Sequence, residues 1–137
     1  MTWGELFTIQ PFGNSLVKMD LTGAQVKALL EQQWGPPQPA AGRILKTSGL
    51  TYTWDSTAPF GSRVVEIRKG GVLLNPAATY SVTCNSFLSS GGDNFTVFNA
   101  GANKVGGPVD LDALIAHVQS LAQPFAAAIE GRIVRLP

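Results

Sequence analysis

Asn85-Ser86-Phe87-Leu88-Ser89-Ser90-Gly91-Gly92-Asp93-Asn94-Phe95 is the stretch around which the rest of the chain is organised. Alternating apolar residues, Tyr80, Val82 and Cys84, lead into it, and their period predicts a half-buried strand. The pattern then breaks into serines, glycines, an aspartate and an asparagine, the composition of a tight loop. Adjacent glycines let a backbone take φ > 0 and come close to another group. A phenyl ring offers a π-face for stacking on a base, worth roughly 1–3 kcal/mol per base. An ionised carboxylate accepts hydrogen bonds and donates none, which suits a pair of vicinal hydroxyls. Phe87 and Asp93 are therefore candidates for gripping a flat, hydroxylated ligand. The same residues also fit a plainer role, with Phe87 and Leu88 closing the core and Asp93 capping a turn.

Outward from this loop, the composition sets bounds. The 137 residues suffice for one domain with a real core, and the expectation is a single domain over 1–137. Charged residues make up 14%, well under the usual ~25%, so solvated charged surface is sparse. A net charge of +1 leaves no electrostatic footprint for nucleic acid or an anionic membrane. Arg63, Arg68 and Lys69 form the densest basic cluster, with Glu66 among them, and read as a solvated strand face. The lone Cys84 has no partner for an internal disulfide. No apolar run reaches the length of a membrane span, and nothing at the start resembles a signal peptide. The opening falls in mid-pattern, as an excised fragment would.

Ahead of the loop, Thr2 and Glu5 have capping-box spacing for a short helical turn that carries Leu6 and Phe7 inward and closes at Pro11. Pro11-Phe12-Gly13-Asn14 is a loop in which Phe12 either presents its ring or plugs the end of the core. Ser15 to Leu21 alternates as a strand. Thr22 and Gln25 form a second capping box, and Val26, Leu29, Leu30 and Trp34 make an apolar helical stripe stopped by Gly35-Pro36-Pro37. Gln38 to Gly42 is a proline-rich bridge. Ile44 to Lys46 and Leu50 to Trp54 are strand candidates, and Arg63 to Leu74 is the clearest hairpin.

Beyond the loop, Asn99 to Pro108 reads as irregular. Asp110 is the expected N-cap of a second amphipathic helix carrying Leu111, Leu114, Ile115, Val118 and Leu121 and ending by Pro124. Ile133 to Leu136 is a plausible closing strand. Two amphipathic helices and about six short strands predict an α+β fold, with the helices covering a mixed sheet.

Catalytic chemistry is hard to build from these residues. A zinc or two-metal centre needs several converging His, Asp or Glu ligands, and the chain has one histidine. A Cys–His pair would have to be Cys84 and His117, one reading as strand core and the other as surface. Gly91-Gly92 is followed by an acid and by no Lys-Ser/Thr, so it is no phosphate loop. Alone, these residues look able to bind and unable to catalyse.

The ordered motifs resemble a known family. Asn85-Ser86-Phe87-Leu88 with Gly91-Gly92-Asp93-Asn94-Phe95 is similar to the Asn-x-Phe-Leu-x-x-Gly-Gly-Asp-x-Phe signature of the C-terminal domain of 5′-nucleotidases. Leu6 to Asn14 resembles that domain's Pro-Phe-Gly loop, and Ser48 to Tyr52, Gly61 to Val64 and Glu130 to Ile133 follow in the family's order. The resemblance implies an α+β recognition domain carrying no cofactor of its own. A metallophosphoesterase domain N-terminal to it in cis would hold two divalent metal ions and perform the hydrolysis. By the same resemblance, Phe12 and Phe87 would sandwich a nucleoside base, Asp93 would take the ribose, and Gly91 and Gly92 would shape the turn. Asn14 and Asn85 belong to the same binding set. The family's phosphate-anchoring Asn-x-Gly-Gly-x-Arg segment would lie upstream of Thr2, and Asn94 stands where glycine is common. Family members are commonly exported or surface-anchored, which implies an extracytoplasmic parent. Related parents hydrolyse nucleotide-sugars or cyclic nucleotides, and a purely structural or dimerising domain is the remaining alternative. Its mark would be Phe12 and Phe87 buried against each other.

Overall fold

In the computed structural model, which describes residues 2–136, the elements begin where their capping residues place them. Thr2 Oγ1 accepts from the Glu5 N–H at 3.3 Å while the Glu5 carboxylate accepts from the Thr2 N–H at 2.6 Å, starting α1 (Trp3–Ile9). Leu6 is its buried residue; Phe7, expected inside, instead stacks on Trp3 at the surface, with centroids 5.2 Å apart. Helix α1 is too short to bury both faces, and the stack covers each ring with the other. After the Phe12 loop comes β1 (Ser15–Thr22), and Thr22 then caps α2 (Gly23–Glu31) through a reciprocal bond with Gln25.

Helix α2 buries Val26, Leu29 and Leu30, the stripe legible in the sequence, and Trp34 is buried just past its end. Strands β2 (Thr51–Asp55), β3 (Val64–Lys69), β4 (Val72–Leu73) and β5 (Thr79–Asn85) follow, then a one-turn helix α3 (Ser86–Ser89) and two 3₁₀ turns, Gly92–Asn94 and Thr96–Ala100. The chain finishes with β6 (Ala102–Val109), α4 (Asp110–Ser120) and β7 (Ile133–Leu136).

The fold is α+β, but the strands form two sheets where one was expected. β5-β1-β6 is wholly antiparallel, while β4-β3-β2-β7 is mixed because β7 runs parallel to β2. Met19 and Leu21 of β1, the α2 stripe, Tyr52, Val64, Ile67, Phe95 and Phe98 form one continuous core linking both sheets. At its centre Gln33 is fully buried with its amide satisfied. Its Nε2 donates to the Leu30 carbonyl, and its Oε1 accepts from the Leu45 N–H at 2.6 Å and the Tyr52 hydroxyl at 3.1 Å.

Three further local expectations change. Ala102–Val109 is a strand, not an irregular segment. It is an edge strand exposed along its length and meets β1 through register shifts, so it carries neither alternation nor a continuous register in sequence. Ile44 to Lys46 joins neither sheet. Val109 occupies the N-cap position of α4; Asp110 is already helical and buried, its carboxylate accepting from the Leu111 N–H at 2.8 Å. That helix stops at Ser120, before Pro124. No helix among the described residues is long and apolar enough to cross a membrane.

Candidate functional site

The loop 85–95 is held from below by short, fully specified contacts. Asn85 Oδ1 accepts from the Leu88 N–H at 2.8 Å, which starts α3 and aims Phe87 outward. Gly91 takes φ +83 and Gly92 makes a close approach: a Cβ there would sit 2.6 Å from both the Phe87 ring and the Phe87 carbonyl oxygen. The glycine pair thus divides its work, one residue turning the chain and the other leaving room for the phenyl. Asp93 and Asn94 follow at φ +54 and +66, left-handed conformations that Asp and Asn tolerate better than other non-glycine residues.

From the other side, the 12–14 loop is tied to the same helix. The Ser86 hydroxyl donates to Asn14 Oδ1 at 3.2 Å and accepts from the Ser15 N–H at 3.1 Å, while the Asn14 carbonyl accepts from the Asp110 N–H at 2.7 Å. Phe12 and Phe87 are therefore carried on loops that share a hydrogen-bonded junction. Phe12 is 79% exposed and Phe87 49% exposed, and neither forms a ring pair with the other.

Both rings open on one cavity of about 740 Å³, which Asn14, Asn85 and Asp93 also line. The structure brings together five of the seven residues singled out in the sequence; Gly91 and Gly92 belong to the loop but do not line the cavity. It also adds residues that sequence reasoning missed. Arg43, Ile44, Leu45 and Lys46 also line it. Arg43 Nη1 donates to Gln38 Oε1 at 2.7 Å, and its Nε lies 3.8 Å from Asp93 Oδ1. Gln38 is buried and its Nε2 donates to the Asp93 carbonyl at 2.7 Å, so one amide positions both the cation and the acid-bearing turn. Gln32 holds the next residues, donating to the Thr96 hydroxyl and accepting from the Val97 N–H. The local signal for these residues was slight: Arg43 follows a proline-rich bridge, and Ile44 to Lys46 read only as a strand candidate.

The arrangement offers ring faces, one carboxylate and amide donors, with a guanidinium beside the acid. Among the described residues, no group of three or more His, Cys, Asp or Glu side chains is placed to hold a metal ion. The Cys84 thiol is pushed up to about 11 by burial, away from the low value an activated nucleophile requires, and His117 is exposed on α4.

Two sheets sharing one core, with this loop set at their edge, define a class of α+β domain that the comparisons with known proteins identify. The family model described as 5′-nucleotidase, C-terminal domain matches residues 1–100, and the chain belongs to that family. Endonuclease YhcR of Bacillus subtilis strain 168 is 37% identical over 135 residues, and the trifunctional nucleotide phosphoesterase YfkN of the same strain is 32% identical over 139. Each comparison covers 97% of this chain, which spans only 11% and 10% of those relatives. Among solved structures, the 5′-nucleotidase precursor from Thermus thermophilus is 38% identical with a TM-score of 0.85, over 99% of this chain and 28% of that one. The NAD nucleotidase of Haemophilus influenzae shares the fold at a TM-score of 0.81 with 21% identity, over 100% of this chain and 27% of its own.

Proposed function

We propose that this chain is the nucleoside-recognition domain of a 5′-nucleotidase-like hydrolase. The observation that carries the reading is the pair of exposed phenyl rings, Phe12 and Phe87, on separate loops that open with Asp93 onto one cavity. The base lies between the rings, and the Asp93 carboxylate accepts from the ribose hydroxyls. Asn14 and Asn85 each spend their side-chain oxygen on the protein, which leaves their amide N–H groups to donate to acceptors on the base. Gly91 and Gly92 bind nothing themselves and hold Phe87 and Asp93 at the required height.

A structural or dimerising role is less well supported, because Phe12 and Phe87 are neither buried nor packed on each other. Hydrolysis belongs to a metallophosphoesterase domain in cis, with two divalent ions held by residues outside this chain. The donor set of the described residues does not fit such a centre, so no step is assigned to a metal on this domain. The parent's substrate is a nucleoside 5′-phosphate.

Titration with adenosine, followed by NMR, tests the assignment. Resonances of Phe12, Phe87 and Asp93 should shift together at millimolar ligand, weakly, because only part of the substrate is gripped. Unmoved resonances at that concentration would sink it. A parallel titration with cytidine, uridine and guanosine ranks the bases.

A further inference from the structure

We propose that a second cavity, adjoining the nucleoside site at Leu45, Lys46 and Leu88, binds a straight-chain alkyl carboxylate, with its tail inside and its head at two lysines. The cavity has a volume of about 440 Å³, within the ~300–1,000 Å³ typical of small-molecule sites. Leu30, Leu45, Leu50, Leu74, Val82 and Cys84 line it, drawn from α2, β5 and two connecting segments. Its wall also carries the hydroxyls of Ser48, Ser81 and Thr83, and two further hydroxyls are already bonded. The Thr47 hydroxyl donates to the Leu50 carbonyl at 3.0 Å, and the Tyr80 hydroxyl accepts from the Asn75 N–H at 2.8 Å. Apolar side chains nonetheless dominate the lining, and an alkyl chain is what it fits.

The charge at its edge selects the head group. Lys46 and Lys69 both line the cavity, and no Asp or Glu does. Among the described residues the acid–base pairs are Arg43–Asp93, Arg68–Glu66 and Arg132–Glu130, so neither lysine is neutralised. Lys69 is held in place by the Tyr80 ring, with Nζ 5.5 Å from its centroid. An apolar hollow with two uncompensated ammonium groups at its edge is complementary to an alkyl anion. Leu45, Lys46 and Leu88 line both cavities, but the carboxylate and exposed rings of the nucleoside site do not line this one.

The test uses octanoate, decanoate and dodecanoate below micelle formation, in isothermal titrations against the whole chain. Affinity should rise about fourfold per methylene until the cavity is full. Dodecanoate should bind about fivefold more tightly than dodecyltrimethylammonium, and Lys46→Gln/Lys69→Gln should erase that difference while keeping the chain-length trend. Bound dodecanoate should also slow modification of Cys84 by a disulfide reagent. Val82→Phe, which narrows the cavity, should weaken dodecanoate binding. Absence of dodecanoate binding, equal binding of the two head groups, or an unchanged rate at Cys84 would each overturn the proposal. Because no nucleoside enters the experiment, its failure leaves the recognition site untouched.

Discussion

Phe87 and Phe95 stand eight residues apart in one loop, yet they belong to different regions of the molecule. Phe95 is 1% exposed and packs into the core with Met19, Leu30 and Phe98, whereas Phe87 stands half in solvent above Gly92. Phe12 sides with Phe87, and Phe98 with Phe95. Burying a phenyl ring is favourable by roughly 1.5–3 kcal/mol relative to leaving it in water, so the exposed pair forgoes stability that the buried pair contributes. The loop geometry maintains that exposure by bonding of its own: the Asn85 cap, the Ser86 junction and the glycine turn all hold the outward rings in place. The difference teaches that one aromatic residue type serves cohesion on one side of this loop and is held exposed at a cavity mouth on the other.

Three measurements would break or sharpen that contrast. The largest effect belongs to Phe95→Ala, which removes a fully buried ring and should cost about 3–5 kcal/mol in urea unfolding. A loss no greater than a surface substitution gives would mean the core is organised otherwise. Next come Phe87→Ala and Phe12→Ala. Each should leave stability within about 0.5 kcal/mol while weakening nucleoside binding by roughly 1–3 kcal/mol, read by calorimetry. Large destabilisation with unchanged binding would reverse the assignment of the two regions.

The smallest effect lies at the boundary between them, on half-buried Cys84. Burial raises its thiol from an ordinary value near 9 to about 11, opposed weakly by Lys104. The folded state therefore holds a proton that the unfolded chain loses first. The thiol's contribution is fully present below about pH 9 and is lost as the pH rises towards 11. Thermal midpoints should show this alkaline decline, and Cys84→Ser should make it shallower than in the wild-type chain. Equal slopes would mean the thiol is solvated.

Much of this protein was determined locally. Thr2 with Glu5 and Thr22 with Gln25 start their helices because a cap is a matter of a few consecutive residues, and the α2 stripe is legible because one helix face meets one core. The loop 85–95 declared its turn for the same reason. Tertiary structure alone decided the rest. β6 lies at an edge, where no buried face imposes alternation, and so it passes for loop in the sequence. The separation of the strands into two sheets depends on pairings such as β2 with β7, about eighty residues apart, and no local period encodes a partner at that distance. The same holds for the residues from Arg43 to Lys46 that share the cavity with the phenyl rings. Arg43 faces Asp93 because buried Gln33 and Gln38 fasten a segment that joins neither sheet, and contacts between side chains far apart in sequence leave no spacing to read.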